Sequence, residues 1–91
     1  AYLGADSIDL LKKVRSVLRE NGWALSNLDA TVIAQRPKLA PYIDEMRKTI
    51  ASALKTDVQN ISVKATTEER LGFTGNGEGI AAHAVCLIVR V

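Results

Sequence analysis

One cysteine, Cys86, stands in a chain of 91 residues, so no internal disulfide framework can staple it, and the count fits a reducing compartment. Aromatic residues are nearly absent too. One Trp, two Tyr and one Phe, scattered along the chain, are too few for a platform on which bases could stack. Neither sign of charge dominates. Twelve Lys and Arg against ten Asp and Glu leave a formal +2, spread rather than clustered, which argues against a nucleic-acid stripe or an anionic-membrane patch. No apolar run approaches the roughly 20 residues of a membrane span, and no charged stretch followed by an apolar one opens the N-terminus. The expectation is a soluble chain with no nucleic-acid and no membrane partner. With one histidine, and no Asp-x-His, His-x-x-x-His or Cys-x-x-Cys spacing, a metal site made by this chain alone is not expected.

The length allows one domain, residues 1–91, with no repeat and no linker. A chain of this size buries only about 60% of the surface its unfolded form exposes, so a partner surface is expected. Ala1 and the stretch AYLGADS read as the interior of something longer.

The patterning that is present begins at Asp6, a good N-cap, after which Leu10, Leu11, Val14, Val17 and Leu18 recur at helical spacing. Asp9 lies early in that helix and Lys12, Lys13, Arg15 and Arg19 later, in agreement with its macrodipole; Asn21-Gly22 ends it. Leu28, Ala30, Val32 and Ala34 then alternate with Asp29, Thr31, Ile33 and Gln35, a strand over about 27–35 that Pro37 closes. Pro41 opens a second helix to about Lys55, apolar at Ile43, Met46, Ile50 and Leu54, with Asp44 and Glu45 in its first turn. Ile61, Val63 and Ala65 alternate as a second strand. Residues 80–91 are apolar on both faces and predict a buried third strand. The fold class is α+β: one mixed sheet with helices on one face, and a bare face that missing residues or another subunit must cover.

Three segments resist explanation as packing. AQRPKLAP joins a strand end to a helix start between two prolines. It can present backbone donors and acceptors to a pyrimidine edge, with Lys38 near a phosphate, although composition favours an ordinary proline-stiffened connection. KATTEE places Thr66, Thr67, Glu68 and Glu69 at the C-terminal end of a strand, where hydroxyls can meet phosphoryl oxygens and a carboxylate can hold Mg²⁺. A helical cap explains the same residues. GFTGNGEG lacks the spacing of a dinucleotide fingerprint; its glycines permit close approach, and Phe73 can serve as a wall. His83 and Cys86, three apart on a strand, face opposite ways and read as packing or interface.

Taken together, GADS (4–7), NLDAT (27–31), IAQRPKLAPYIDEMR (33–47) and KATTEERLGFTGNGEGIAAHAV (64–85) resemble the 2-C-methyl-D-erythritol 2,4-cyclodiphosphate synthase family of the non-mevalonate isoprenoid pathway. The resemblance covers essentially the whole chain as that family's C-terminal portion. It implies a homotrimer packing its sheets around a central axis, with active sites between subunits. The implied reaction converts 4-diphosphocytidyl-2-C-methyl-D-erythritol 2-phosphate to the cyclodiphosphate and CMP, a metal-dependent, cyclising phosphorus-oxygen lyase.

Carried over residue by residue, the resemblance puts Ala34, Gln35, Arg36, Pro37, Lys38, Leu39 and Ala40 around the cytosine and Thr66, Thr67, Glu68, Glu69, Phe73 and Asn76 along the rest of the substrate pocket. It makes Thr67 the transition-state stabiliser and Glu69 the ligand of Mg²⁺ or Mn²⁺ between phosphates. Zinc ligands belong to the family's N-terminal part, which this sequence lacks, so the 91 residues alone are expected to be inactive. Asn76 departs from the arginine often found there, which puts isoprenoid-diphosphate binding in a central cavity in doubt. The compartment implied is the bacterial cytoplasm rather than a plastid stroma. A different class of function, a noncatalytic nucleotide or isoprenoid-diphosphate binding module, is the alternative.

Overall fold

Asp6 does cap the first helix, α1 (Ser7–Glu20): its Oδ1 accepts from the Ile8 amide at 2.8 Å, satisfying one of the donors a helix start leaves open. The helix stops where expected. The Asn21 side chain donates to the Val17 carbonyl at 2.8 Å, and Gly22 takes φ +84°, a left-handed turn that costs glycine nothing. This is a computed structural model; it describes residues 6–34, 38–66 and 80–91.

The first strand, β1 (Trp23–Ala34), begins four residues before the expected position. The cause is an irregularity between Leu25 and Asn27: Leu25 opposes Ile88 and Asn27 opposes Leu87, so Ser26 is an extra residue in the ladder. Such a bulge shifts the alternation by one, so that Trp23 and Leu25 share a face with Leu28 and Ala30 although the sequence alternation between them is broken. Gln35, the expected last residue, lies outside the described residues.

The second helix also starts differently. Ala40–Tyr42 form a 3₁₀ turn, in which the Tyr42 amide donates to the Leu39 carbonyl at 2.9 Å and the Ile43 amide to that of Ala40. Helix α2 proper runs Ile43–Leu54. No side chain caps its start, so the tighter i−3 bonds take the first donors instead. Lys55 closes it in the left-handed conformation, φ 52°. A second 3₁₀ turn, Val58–Asn60, capped by Asp57, leads into β2 (Ile61–Thr66).

Strand β1 lies in the middle of a three-stranded sheet of order β2-β1-β3, where β3 is Ile80–Arg90. It pairs parallel with β2, Leu28 beside Ile61 through Ile33 beside Thr66. On its other side β3 runs antiparallel, from Trp23 beside Arg90 to Ala34 beside Ile80. The sheet is thus mixed and the fold α+β, as the sequence predicts. Both helices cover one face. Ala51, Leu54, Ile61 and Val63 form the buried cluster, with Leu11 of α1, Leu25, Leu28, Ala30 and Val32 of β1, and Ile43, Met46 and Ile50 of α2 packed against it.

One expectation fails within the single chain. β3 is not buried: Val85 is 67% and Leu87 61% exposed. The helices lie over β1 and β2, and among the described residues β3 has β1 alone as its strand neighbour. The apolar stripe of α1 is also under-used, because none of its residues is buried.

Candidate functional site

The parallel register brings two of the predicted site segments to one edge. Ile33 lies beside Thr66, so β1 ends at Ala34 and β2 at Thr66 as immediate neighbours, and Ile80 enters β3 opposite Ala34. Three strand ends, those at Ala34, Thr66 and Ile80, therefore share one end of the sheet. It is the carboxyl end of the parallel pair, where open α/β sheets seat their ligands.

Ala34 is buried, which anchors the departure point of AQRPKLAP in packed backbone. Lys38 and Ala40 are exposed and Leu39 half-buried, and the chain turns there into the 3₁₀ start of α2. Thr66 ends β2 exposed. Gln35, Arg36, Pro37, Thr67, Glu68, Glu69, Phe73 and Asn76 lie outside the described residues. What the register brings together is thus Ala34 and Thr66, with the 38–40 segment leading into α2.

No group of three His, Cys, Asp or Glu side chains among the described residues could hold a metal ion. His83 is beside Thr31 and Cys86 beside Leu28 in the ladder, which puts them on opposite faces, as the three-residue spacing predicts. Neither is packed away in core; Cys86 is a free, exposed thiol.

Two polar features escaped sequence reasoning. On the uncovered face of the sheet, Lys64 Nζ meets Asp29 Oδ1 at 2.6 Å across β1 and β2. The Lys64 hydrogen bond holds the Asp29 carboxyl below the usual carboxylate range, against partial desolvation; the Lys64 charge, the Ser62 hydroxyl and the His83 ring assist. The alternation places Asp29 on the outward face, but the register that brings Lys64 to it is not in the local pattern.

The second feature is Arg47 of α2. Its Nε donates to the Ile61 carbonyl at 2.8 Å and its Nη2 to the Val58 carbonyl at 3.1 Å, while Nη1 stands 3.5 Å from Asp44 Oδ1. A signal existed. Arg47 is four residues after Ile43 and four before Ala51, which puts it on the margin of the buried stripe rather than on the solvent side.

Comparison with known proteins agrees with this architecture. A family model described as the YgbB family matches residues 1–89. Over 89 residues the chain is 58% identical to 2-C-methyl-D-erythritol 2,4-cyclodiphosphate synthase of Clostridium perfringens, spanning 98% of this chain and 57% of that protein. Among solved structures it is similar to the bifunctional IspDF from Campylobacter jejuni, with TM-score 0.93 and 41% identity over 96% of this chain and 24% of that one. It is similar also to IspF of Plasmodium falciparum in a CDP complex, with TM-score 0.88 and 32% identity over 93% of this chain and 55% of that one. The chain spans about half the length of the curated relatives it matches. On the match along residues 1–89 and on these identities, the chain belongs to the YgbB family, that of the 2-C-methyl-D-erythritol 2,4-cyclodiphosphate synthases.

Proposed function

We propose that the protein carrying this chain cyclises 4-diphosphocytidyl-2-C-methyl-D-erythritol 2-phosphate, releasing CMP, and that these 91 residues are one domain supplying the cytidine and diphosphate pocket. The observation that carries the reading is the register of Ile33 beside Thr66, which sets the ends of β1 and β2 side by side on a fold similar to a CDP complex. A nucleoside diphosphate needs a base site and a phosphate site a few ångströms apart. Adjacent parallel strands offer that.

In this reading the 34–40 segment holds the cytosine through its backbone, and the Lys38 ammonium neutralises phosphate charge. Thr66 and Thr67 donate hydroxyl hydrogen bonds to phosphoryl oxygens, with Thr67 stabilising the transition state, and Phe73 and Asn76 line the remainder. An oxygen of the substrate's 2-phosphate forms a bond to the β-phosphorus. The bond from that phosphorus to the bridging oxygen breaks, and CMP leaves with the electron pair. No protein nucleophile is required; positioning and charge neutralisation supply the catalysis. A divalent cation, when bound, supplies further charge neutralisation at the phosphates. Glu69 is the residue of this chain that would hold it, while zinc would need ligands from elsewhere.

The same reading makes the assembly a homotrimer, working in the bacterial cytoplasm, with each pocket completed by a neighbouring subunit. No described helix is long and apolar enough to cross a membrane. The test is CMP release from the substrate by the full-length protein that carries this chain, with added Mg²⁺ and Zn²⁺, and by its Glu69→Gln variant. Turnover that falls by about 100-fold or more in the variant, with the assembly intact, is expected for a lost metal ligand. CDP binding without any CMP release would instead favour a noncatalytic binding module.

A further inference from the structure

Helix α2 is the crossover between the two strands that end at the proposed pocket. Its N-terminal end is continuous with the 38–40 segment, and its C-terminal end leads through residues 55–60 into β2. Any sliding of α2 along β2 therefore moves Lys38, Leu39 and Ala40 relative to Thr66.

The apolar contacts along α2 do not fix that sliding closely. Met46, Ile50, Ala51 and Leu54 rest on Ile61, Val63 and neighbouring side chains, and apolar attraction is non-directional. Hydrogen bonds are directional, and they weaken steeply once distance and angle leave a narrow range. Arg47 supplies them here. It reaches from the second turn of α2 to two carbonyls three residues apart, Val58 at the 3₁₀ turn and Ile61 at the first position of β2. A guanidinium is planar with its donors in a fixed fork, so two carbonyls gripping one plane set a height and not merely a proximity. The side chain is 31% exposed, which shields these bonds in part from water, and Asp44 one turn back adds a looser contact at 3.5 Å.

We infer that Arg47 is a positioning residue: by fixing the axial height of α2 against β2 it sets the spacing between the base-holding segment 38–40 and the phosphate-holding end of β2 at Thr66. The inference rests on the nucleotide reading above. It assigns Arg47 no contact with the ligand. Its effect falls on ligands that span both segments, and spares ligands that use only one.

The test compares affinities for CDP and for cytidine, by calorimetry or competition, in the full-length protein that carries this chain and in its Arg47→Gln and Arg47→Lys variants. A spacing fault of about 1 Å is enough to cost a spanning ligand heavily. The expected result is a CDP affinity weakened roughly tenfold in both variants while that for cytidine changes by less than about twofold. Molecules that fail to fold lower the number of sites for both ligands alike, so the ratio of affinities survives partial misfolding. Lysine keeps the charge but offers its donors from one nitrogen on a flexible stem, without the planar fork that sets a height. If Arg47→Lys retained full CDP affinity, charge rather than spacing would be the cause and the inference would fall; equal losses for both ligands, or none, would overturn it as well. Absence of CDP binding in the unsubstituted chain would sink the nucleotide reading itself, a result distinct from these.

Discussion

Strands β2 and β3 flank the same central strand, yet they live in different surroundings. In β2 the side chains alternate between core and solvent, with Ile61 at 1% and Val63 at 8% exposure against exposed Ser62 and Lys64. In β3 nearly every residue is exposed, although it is the more apolar of the two. The difference lies in the cover and not in the strand. Helix α2 crosses over β1 and β2, while β3 joins from the far side with neither helix lying over it. An open apolar groove remains there, lined by Ile8, Ala30, Val32, Met46, Ile50 and Ala82. A strand whose composition suits burial on both faces, left bare by the described residues, is where the proposed trimer contact is expected.

The largest effect that would sharpen this contrast lies on the covered side. Ile61→Ala is expected to destabilise the chain by about 2–5 kcal/mol in urea denaturation, since a fully buried branched side chain leaves a cavity behind. A loss below about 1 kcal/mol would mean that β2 is not the packed strand of the pair.

Next comes the bare side. Leu87→Asp puts a charge on the uncovered face of β3, where the proposed trimer would bury it; the expected outcome in sedimentation is dissociation, with far-UV dichroism retained. An intact trimer carrying this substitution would show that this face is not the subunit contact.

The smallest effect concerns the ion pair on the same face. The Asp29 carboxyl is held lower in the folded chain than in the unfolded one, so its contribution is present above the ordinary carboxylate value and fades as pH falls through the lower, folded value. Acid titration should therefore show a stability loss below about pH 4 that is shallower in Asp29→Asn. Identical acid limbs would mean that solvent screens the pair completely.

What the sequence made legible was local. Asp6 as cap, Asn21-Gly22 as stop, the alternation from Leu28 to Ala34 and the stripe Ile43, Met46, Ile50 and Leu54 each follow from contacts within a few residues. The elements that escaped depend on distant partners. The Ser26 bulge exists only against β3, the exposure of β3 depends on where the helices lie, and Arg47 and Lys64 find their partners 14 and 35 residues away. For the candidate site, the motifs proposed which residues belong together, and the parallel register sets Ala34 and Thr66 at neighbouring strand ends.

The bulged start of β1 has one more consequence. Arg90 lies 4.6 Å above the centre of the Trp23 ring, and the Val91 amide donates to the Gly22 carbonyl at 2.9 Å, so the last residues of the chain are fastened to the first residues of the central strand. Trp23 is the sole indole in the sequence. Its emission is thus a built-in optical gauge of whether the sheet's outer strand is seated, readable without any label and at the very strand that the described helices leave open.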